Sequence, residues 1–151
     1  MKKFKLTSEF IVDISGVKLF RIKALIEFGN VKAGDLGGYI EKEENLSHMG
    51  NAWVSGNAQV SGNAQVSGDA QVFGDARVSG DKDYAYAHGF GSCNRTTTFF
   101  RLKDGDVGVR CGCFYGTLAQ FRDNVCETHG ETKKAQEYLM LADLMDFRFK
   151  N

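Results

Sequence analysis

Between Gly50 and Asp81 the chain repeats a six-residue unit, Ala-x-Val-Ser-Gly-Asn/Asp, and no other feature narrows its fold so far. Val recurs at 54, 60, 66, 72 and 78, and Ala stands two residues earlier each time, at 52, 58, 64, 70 and 76. Gly occupies 50, 56, 62, 68, 74 and 80, always followed by Asn or Asp. Alternation within Ala-Gln-Val-Ser puts Ala and Val on one face and Gln and Ser on the other, as in a short strand. Gly-Asn and Gly-Asp tolerate left-handed backbone angles, so each marks a corner. Hairpins at these corners would set Ser opposite Ala and Val opposite Gln, leaving neither face apolar. A chain that winds in one direction, with rungs stacked in parallel, turns every Ala and Val inward. Only the winding buries the apolar set.

The unit resembles the hexapeptide repeat of left-handed parallel β-helix proteins, in which three hexads close one triangular turn and an inward aliphatic follows a small residue by two places, as Val54/Ala52 to Val78/Ala76 do. The resemblance implies that residues eighteen apart stack, about 4.8 Å per rung, and that the chain forms a homotrimer. LFRIKALIEFGNVKAGDLGGYIEKEENLSHMGNAWV is similar to the leader of hexapeptide-repeat proteins of enterobacteria, phages and prophages that are loosely labelled transferases. TTTFFRLKDGDVGVRCGCFYGTLAQF and the later THG are similar to the end of phage-associated members from gut bacteria. The expected fold is mainly β: a short left-handed parallel β-helix over 36–92, an N-terminal β-hairpin cap over 1–35, and C-terminal strands plus two α-helices over 93–151.

Flanking signals agree with such caps. Phe20, Ile22 and Ala24 alternate with Arg21 and Lys23 around a Ser15-Gly16 turn, which predicts a hairpin. Leu46 and Val54 are eight apart, so two extra residues sit near Ser47-His48. Tyr84 keeps the six-residue phase, but Lys82 takes the inward Ala position, so the winding ends or bulges there. Residues 96–114 read as strands about the Asp104-Gly105-Asp106 turn. Thr117 and Gln120 form a capping box for one helix, with Gly130 as its stop, and Thr132 caps a second. In that second helix Met140, Leu141 and Leu144 widen the apolar face, so it needs cover on two sides, another subunit being one source.

The 19 basic and 19 acidic residues are spread without a basic run, which argues against duplex nucleic acid as a partner. No stretch is long and apolar enough for a membrane span, and Asp13 interrupts the only candidate signal-peptide run. These features predict a cytoplasmic protein with reduced cysteines (the host cytoplasm for a phage product).

Hexapeptide acyltransferases, by resemblance, use acyl-CoA or an acyl carrier protein and a His base. Residues 50–81 hold neither His nor Lys, so a base could come only from His48 or His88. His129 reads as a helix-terminal residue. Tyr84, Tyr86 and His88 share one strand face, which either packs under a cap or holds a planar or phosphorylated ligand. Trp53 and Phe73 both take outward positions, with Gln71 above Trp53, and form an aromatic contact patch for a trimer seam, a packed cap, a ligand or a foreign protein. Cys111 and Cys113, with Cys93, Cys126, His88 and His129, have an unfavourable spacing for zinc and read as small buried residues. The candidate binding set is thus Trp53, Phe73, Gln71, Tyr84, Tyr86 and His88, with no catalytic residue, no metal and no cofactor. The leading expectation is a noncatalytic phage or prophage binding protein, an anti-defence inhibitor that blocks a host protein or sequesters a nucleotide signal. The alternatives are an acyl-CoA-dependent acyltransferase and a structural trimerisation spacer.

Overall fold

A computed structural model describes residues 2–90, 95–112 and 114–150, the side chains of Asp81 and Arg95 excepted. Strands β1 (Phe4–Val12) and β2 (Lys18–Ala24) form the hairpin, and β3 (Leu36–Ile40) pairs antiparallel with β2. The repeat then contributes two-residue strands: β4 (Trp53–Val54), β5 (Gln59–Val60), β6 (Gln71–Val72) and β7 (Arg77–Val78). Neighbouring hexads do not pair with each other. Trp53 pairs with Gln71, Val54 with Val72, Gln59 with Arg77 and Val60 with Val78, all in parallel and eighteen residues apart. Tyr39 and Ile40 pair with Gln59 and Val60, and Leu46 bridges Val66, at twenty residues, the two-residue excess being the Ser47-His48 insertion. All ten Ala and Val of the hexads are at most 1% exposed, joined in one core with Ile22, Ile40, Leu46 and Phe100.

The mainly β expectation, with a left-handed parallel β-helix as its body, is corrected. The fold is mixed α/β, with a five-stranded mixed sheet (β1-β2-β3-β5-β7), a two-stranded parallel sheet (β4-β6) and a four-stranded antiparallel sheet. That last sheet holds β8 (Tyr84–Phe90), β9 (Arg95–Arg101), β10 (Val107–Cys111) and β11 (Phe114–Thr117), and is followed by α1 (Leu118–His129) and α2 (Lys133–Phe149). The physical reason lies in the length of the unit. Each hexad spends most of its residues on a corner and leaves two extended, so the long strands all lie outside the repeat and pair antiparallel with one another.

The four-stranded sheet packs against a core on each face. Phe100 and Tyr84 point into the hexad core, whereas Phe99, Val109 and Cys111 pack with Phe121, Val125, Tyr138 and Met145 of the helices. Both helices begin on threonine caps: Gln120 N donates to Thr117 Oγ1 at 3.2 Å, and Ala135 N to Thr132 Oγ1 at 3.3 Å.

Both ends of the hexad stack would expose unpaired backbone, and side chains cover them. At the upper end Gln71 N donates to Thr98 Oγ1 (2.9 Å), Asp75 N to the Tyr115 hydroxyl (3.3 Å), and the Tyr84 hydroxyl to Gln65 O. Gly68 and Gly74 have φ of 66° and 68°, and a Cβ at either would strike the Tyr86 or Tyr115 hydroxyl. At the lower end Lys3, 1% exposed, donates from Nζ to Ala52 O (2.7 Å) and Gly50 O (3.4 Å), with the ammonium 4.6 Å from the Phe28 ring centre. Burial pushes the Lys3 pKa down to about 8.

Candidate binding cleft

The structure divides the expected aromatic patch. Trp53 is not outward-facing surface but buried: Phe28 meets it edge-on at 5.3 Å, and Gly37 lies so close to the indole that a Cβ there would collide with it. Phe73 is half-buried under Tyr115 at 4.9 Å, with the Arg110 guanidinium 4.3 Å from its ring centre. The two aromatics therefore form no common exposed patch; the hairpin segment covers one and the C-terminal sheet the other. Tyr84 is buried and Tyr86 lies against Gly68, so the expected tyrosine stripe mainly seals the stack. His88 is exposed, with Nδ1 2.7 Å from Thr96 Oγ1.

Of the expected set, Gln71 lines a cavity among the described residues. This cleft, about 260 Å³, is bounded by Gly29, Asn30, Asn51, Asp69, Gln71, Thr96, Arg110 and Gly112. Four separate parts of the chain converge on it. Phe28 and Val31 exchange backbone hydrogen bonds of 3.0 and 2.8 Å, so Gly29-Asn30 is a two-residue turn that projects its tip to the rim. Asn51 and Asp69 are the same hexad corner on successive rungs, tied by Asn51 N to Gly68 O at 3.2 Å. β6 supplies Gln71, whose amide is anchored on Thr98. β9 and β10 supply Thr96 and Arg110. The Arg110 Nε donates to Gly112 O (3.2 Å) and its guanidinium carbon lies over the Phe73 ring at 4.3 Å, which fixes the guanidinium at the cleft. No described carboxylate forms a salt bridge with Arg110. The lining thus offers a fixed cation, three amides, a hydroxyl and one carboxylate.

Sequence reasoning missed Asn30, Asn51, Asp69 and Arg110. A signal existed for two of them: a period of eighteen stacks Asn51 under Asp69. Nothing in the sequence brings β10 or the Gly29-Asn30 turn to the same place.

Two further cavities differ in character. One of about 580 Å³ runs between the hairpin tip (Val12 to Ser15) and the outer face of β5 and β7. Its cations are engaged: Arg77 donates to Asn57 O and Ala76 O, and Lys103 lies 4.0 Å from Asp75. The other, about 340 Å³, lies among Cys111, Phe114, Phe121, Tyr138 and His129.

His48 is committed to structure. Its Nδ1 accepts from Lys3 N (3.0 Å), its Nε2 is 3.1 Å from Glu43 Oε2, and its ring stacks on Phe4 at 4.2 Å. The His48 hydrogen bond, with Lys2 second, holds the Glu43 carboxyl below its ordinary pKa. A general-base role for His48 would require breaking these contacts. Cys111 is buried and accepts from Thr97 Oγ1 at 3.3 Å, while Cys126 is exposed; Cys93 and Cys113 lie outside the described residues. Among the described residues no cluster of His, Cys, Asp or Glu could hold a metal ion, and no helix is long and apolar enough to cross a membrane.

No protein-family model matches the chain, and no curated protein sequence matches it either.

Proposed function

We propose that the chain is a noncatalytic binding protein whose cleft captures a small phosphorylated molecule of the nucleotide type. The observation that carries this reading is the convergence of Arg110, Asp69, Asn51 and Gln71 on the lining of one cleft of about 260 Å³. Arg110, held over the Phe73 ring, is suited to a phosphate group. Asp69 would repel a bare anion, so the ligand must also bring donors, as ribose hydroxyls and base amino groups do. The volume suits one nucleoside monophosphate better than a dinucleotide. Sequestration of a host nucleotide signal by a phage or prophage product is the biological task consistent with this chemistry and with the sequence resemblance.

Titration calorimetry with adenosine and guanosine monophosphates is expected to give saturable binding, and inorganic phosphate a much weaker response. Arg110→Met removes a charged hydrogen-bond donor and is expected to cost roughly 10–150-fold in affinity. Equal binding of the nucleotides and inorganic phosphate, or an unchanged affinity in Arg110→Met, would overturn the reading. Acyl-CoA turnover that disappears in His88→Ala would replace it with the acyltransferase alternative.

A further inference from the structure

The cavity of about 340 Å³ beside Tyr138 has a chemistry opposite to that of the cleft. Alternate residues of β10 face opposite sides of the sheet, so Arg110 lies over Phe73 on the hexad side while Cys111 packs on the helix side. Cys111, Phe121, Val125 and Tyr138 are buried and make the floor of this cavity. Asn124 and His129 are half-buried and Thr128 is exposed, so α1 supplies a polar rim. Phe114 of β11 adds a half-buried aromatic wall.

The rings stand at angles to one another. Phe121 meets Tyr138 at 5.5 Å and 84°, Phe114 meets Phe121 at 5.7 Å and 55°, and His129 lies 5.7 Å from Tyr138 at 32°. A corner of tilted rings presents both faces and edges, and a further planar ring can stack on one and abut another. The Cys111 sulfur accepts from Thr97 Oγ1 at 3.3 Å and lies 3.6 Å from the Tyr138 hydroxyl, so the floor is soft and weakly polar.

Charge and size narrow the occupant further. Among the described residues that line the cavity there is no carboxylate, ammonium or guanidinium group. A charged ligand would lose its hydration there with no counter-charge to replace it. A plain aliphatic chain would leave the rim amide, hydroxyl and imidazole without a partner to replace water. A closed apolar cavity of about 150 Å³ holds benzene, and ligand sites begin at about 300 Å³. One ring or two fused rings therefore suit the space.

We propose that this cavity binds a small uncharged aromatic molecule with one hydrogen-bonding group, of phenol or indole size. Its ring packs against Phe121 and Tyr138, and its polar group meets the Asn124, Thr128 and His129 rim. The site is separate from the cleft and does not rest on the nucleotide reading.

Amide chemical-shift titrations with phenol, indole, cyclohexanol and benzoate test this. Phenol and indole should give saturable shifts at Val125, Thr128 and Tyr138, with the cleft amides of Asn51 and Gln71 unmoved. Cyclohexanol keeps the hydroxyl but lacks the planar ring, and should bind roughly 2–10-fold more weakly than phenol. Benzoate keeps the ring but brings a charge, and should be weaker by about tenfold or more. Thr128→Trp sets a ring in the mouth of the cavity and should abolish phenol saturation, with an unchanged melting temperature because residue 128 is exposed. No saturation by phenol or indole at millimolar concentration, cyclohexanol or benzoate binding as tightly as phenol, or phenol binding that survives Thr128→Trp would each overturn the proposal. Arg110→Met should leave phenol binding unchanged while it weakens nucleotide binding, which separates failure here from failure of the nucleotide reading.

Discussion

Phe100→Ala is expected to lower unfolding free energy by about 3–5 kcal/mol, the range for truncating a fully buried Phe. Phe100 is 0% exposed and belongs to the core that contains the hexad Ala and Val residues. It pairs with Tyr84 on β8 and Gly108 on β10, and lies 6.3 Å from Tyr115 at 18° between planes. Gly108 shows how tightly the ring is seated: a Cβ there would come within 2.6 Å of it. The neighbours are sheet backbone, the Ala and Val stack and the Tyr84 and Tyr115 side chains, which their strands hold in place around the space a lost ring leaves. Since domains are stable by only about 5–15 kcal/mol, this single change should remove a large part of the total. Denaturant unfolding with an unchanged slope and a lower midpoint is the expected readout; a loss under about 1 kcal/mol would mean the sheet does not rest on the stack as described.

Asp83→Ala should cost about 3 kcal/mol, the lower end for breaking a buried pair, because Arg101 keeps some contact with water. Asp83 ends the hexad region and is 6% exposed. Its Oδ2 accepts from Ser79 N (3.0 Å) and Ser79 Oγ (2.9 Å), and its Oδ1 from Arg101 Nε (3.2 Å). Arg101 in turn donates to Phe149 O (3.2 Å) and lies 5.3 Å from the Phe149 ring centre, so one carboxylate ties the last hexad, β9 and the end of α2 together. Burial alone would raise the Asp83 pKa, but the Ser79 and Arg101 hydrogen bonds and the Arg101 charge outweigh it, and the net shift is downward from 3.8. A depressed carboxylate stabilises the fold fully above its unfolded pKa and loses that contribution as pH falls through the folded value. The difference in stability between the parent protein and Asp83→Ala should therefore be constant above about pH 4 and shrink below it. A gap that persists unchanged into strong acid would show that the carboxylate charge is not what stabilises this junction.

What was legible in the sequence follows from what a short period can encode. Alternation and the Gly-Asn/Asp corners fix where each hexad side chain points, so the buried Ala and Val and the two-residue excess before Val54 could be read, whereas the offset of eighteen came from the resemblance to three-hexad turns and not from the period. Local caps were legible for the same reason: Thr117 and Thr132 act on amides three residues away. The period says nothing about what lies against an outward position. Trp53 and Phe73 both take outward positions in their hexads, yet Phe28 covers one and Tyr115 and Arg110 cover the other. The class of the fold was misjudged because a six-residue unit looks like a strand-rich element, whereas its strands are two residues long and the helices and antiparallel sheets carry most of the regular structure. The cleft was illegible for a related reason. Asn30, Asn51, Asp69 and Arg110 are ordinary turn and strand residues until four remote segments meet.

Amide chemical-shift mapping during titration with a nucleoside monophosphate tests the binding cleft most directly. Saturable shifts should centre on the backbone amides of Asn30, Asn51, Gln71 and Gly112, leaving those of Phe121 and Tyr138 in place. Shifts confined to the cavity beside Tyr138 or to the hairpin tip, with the cleft amides unmoved at saturation, would contradict the assignment.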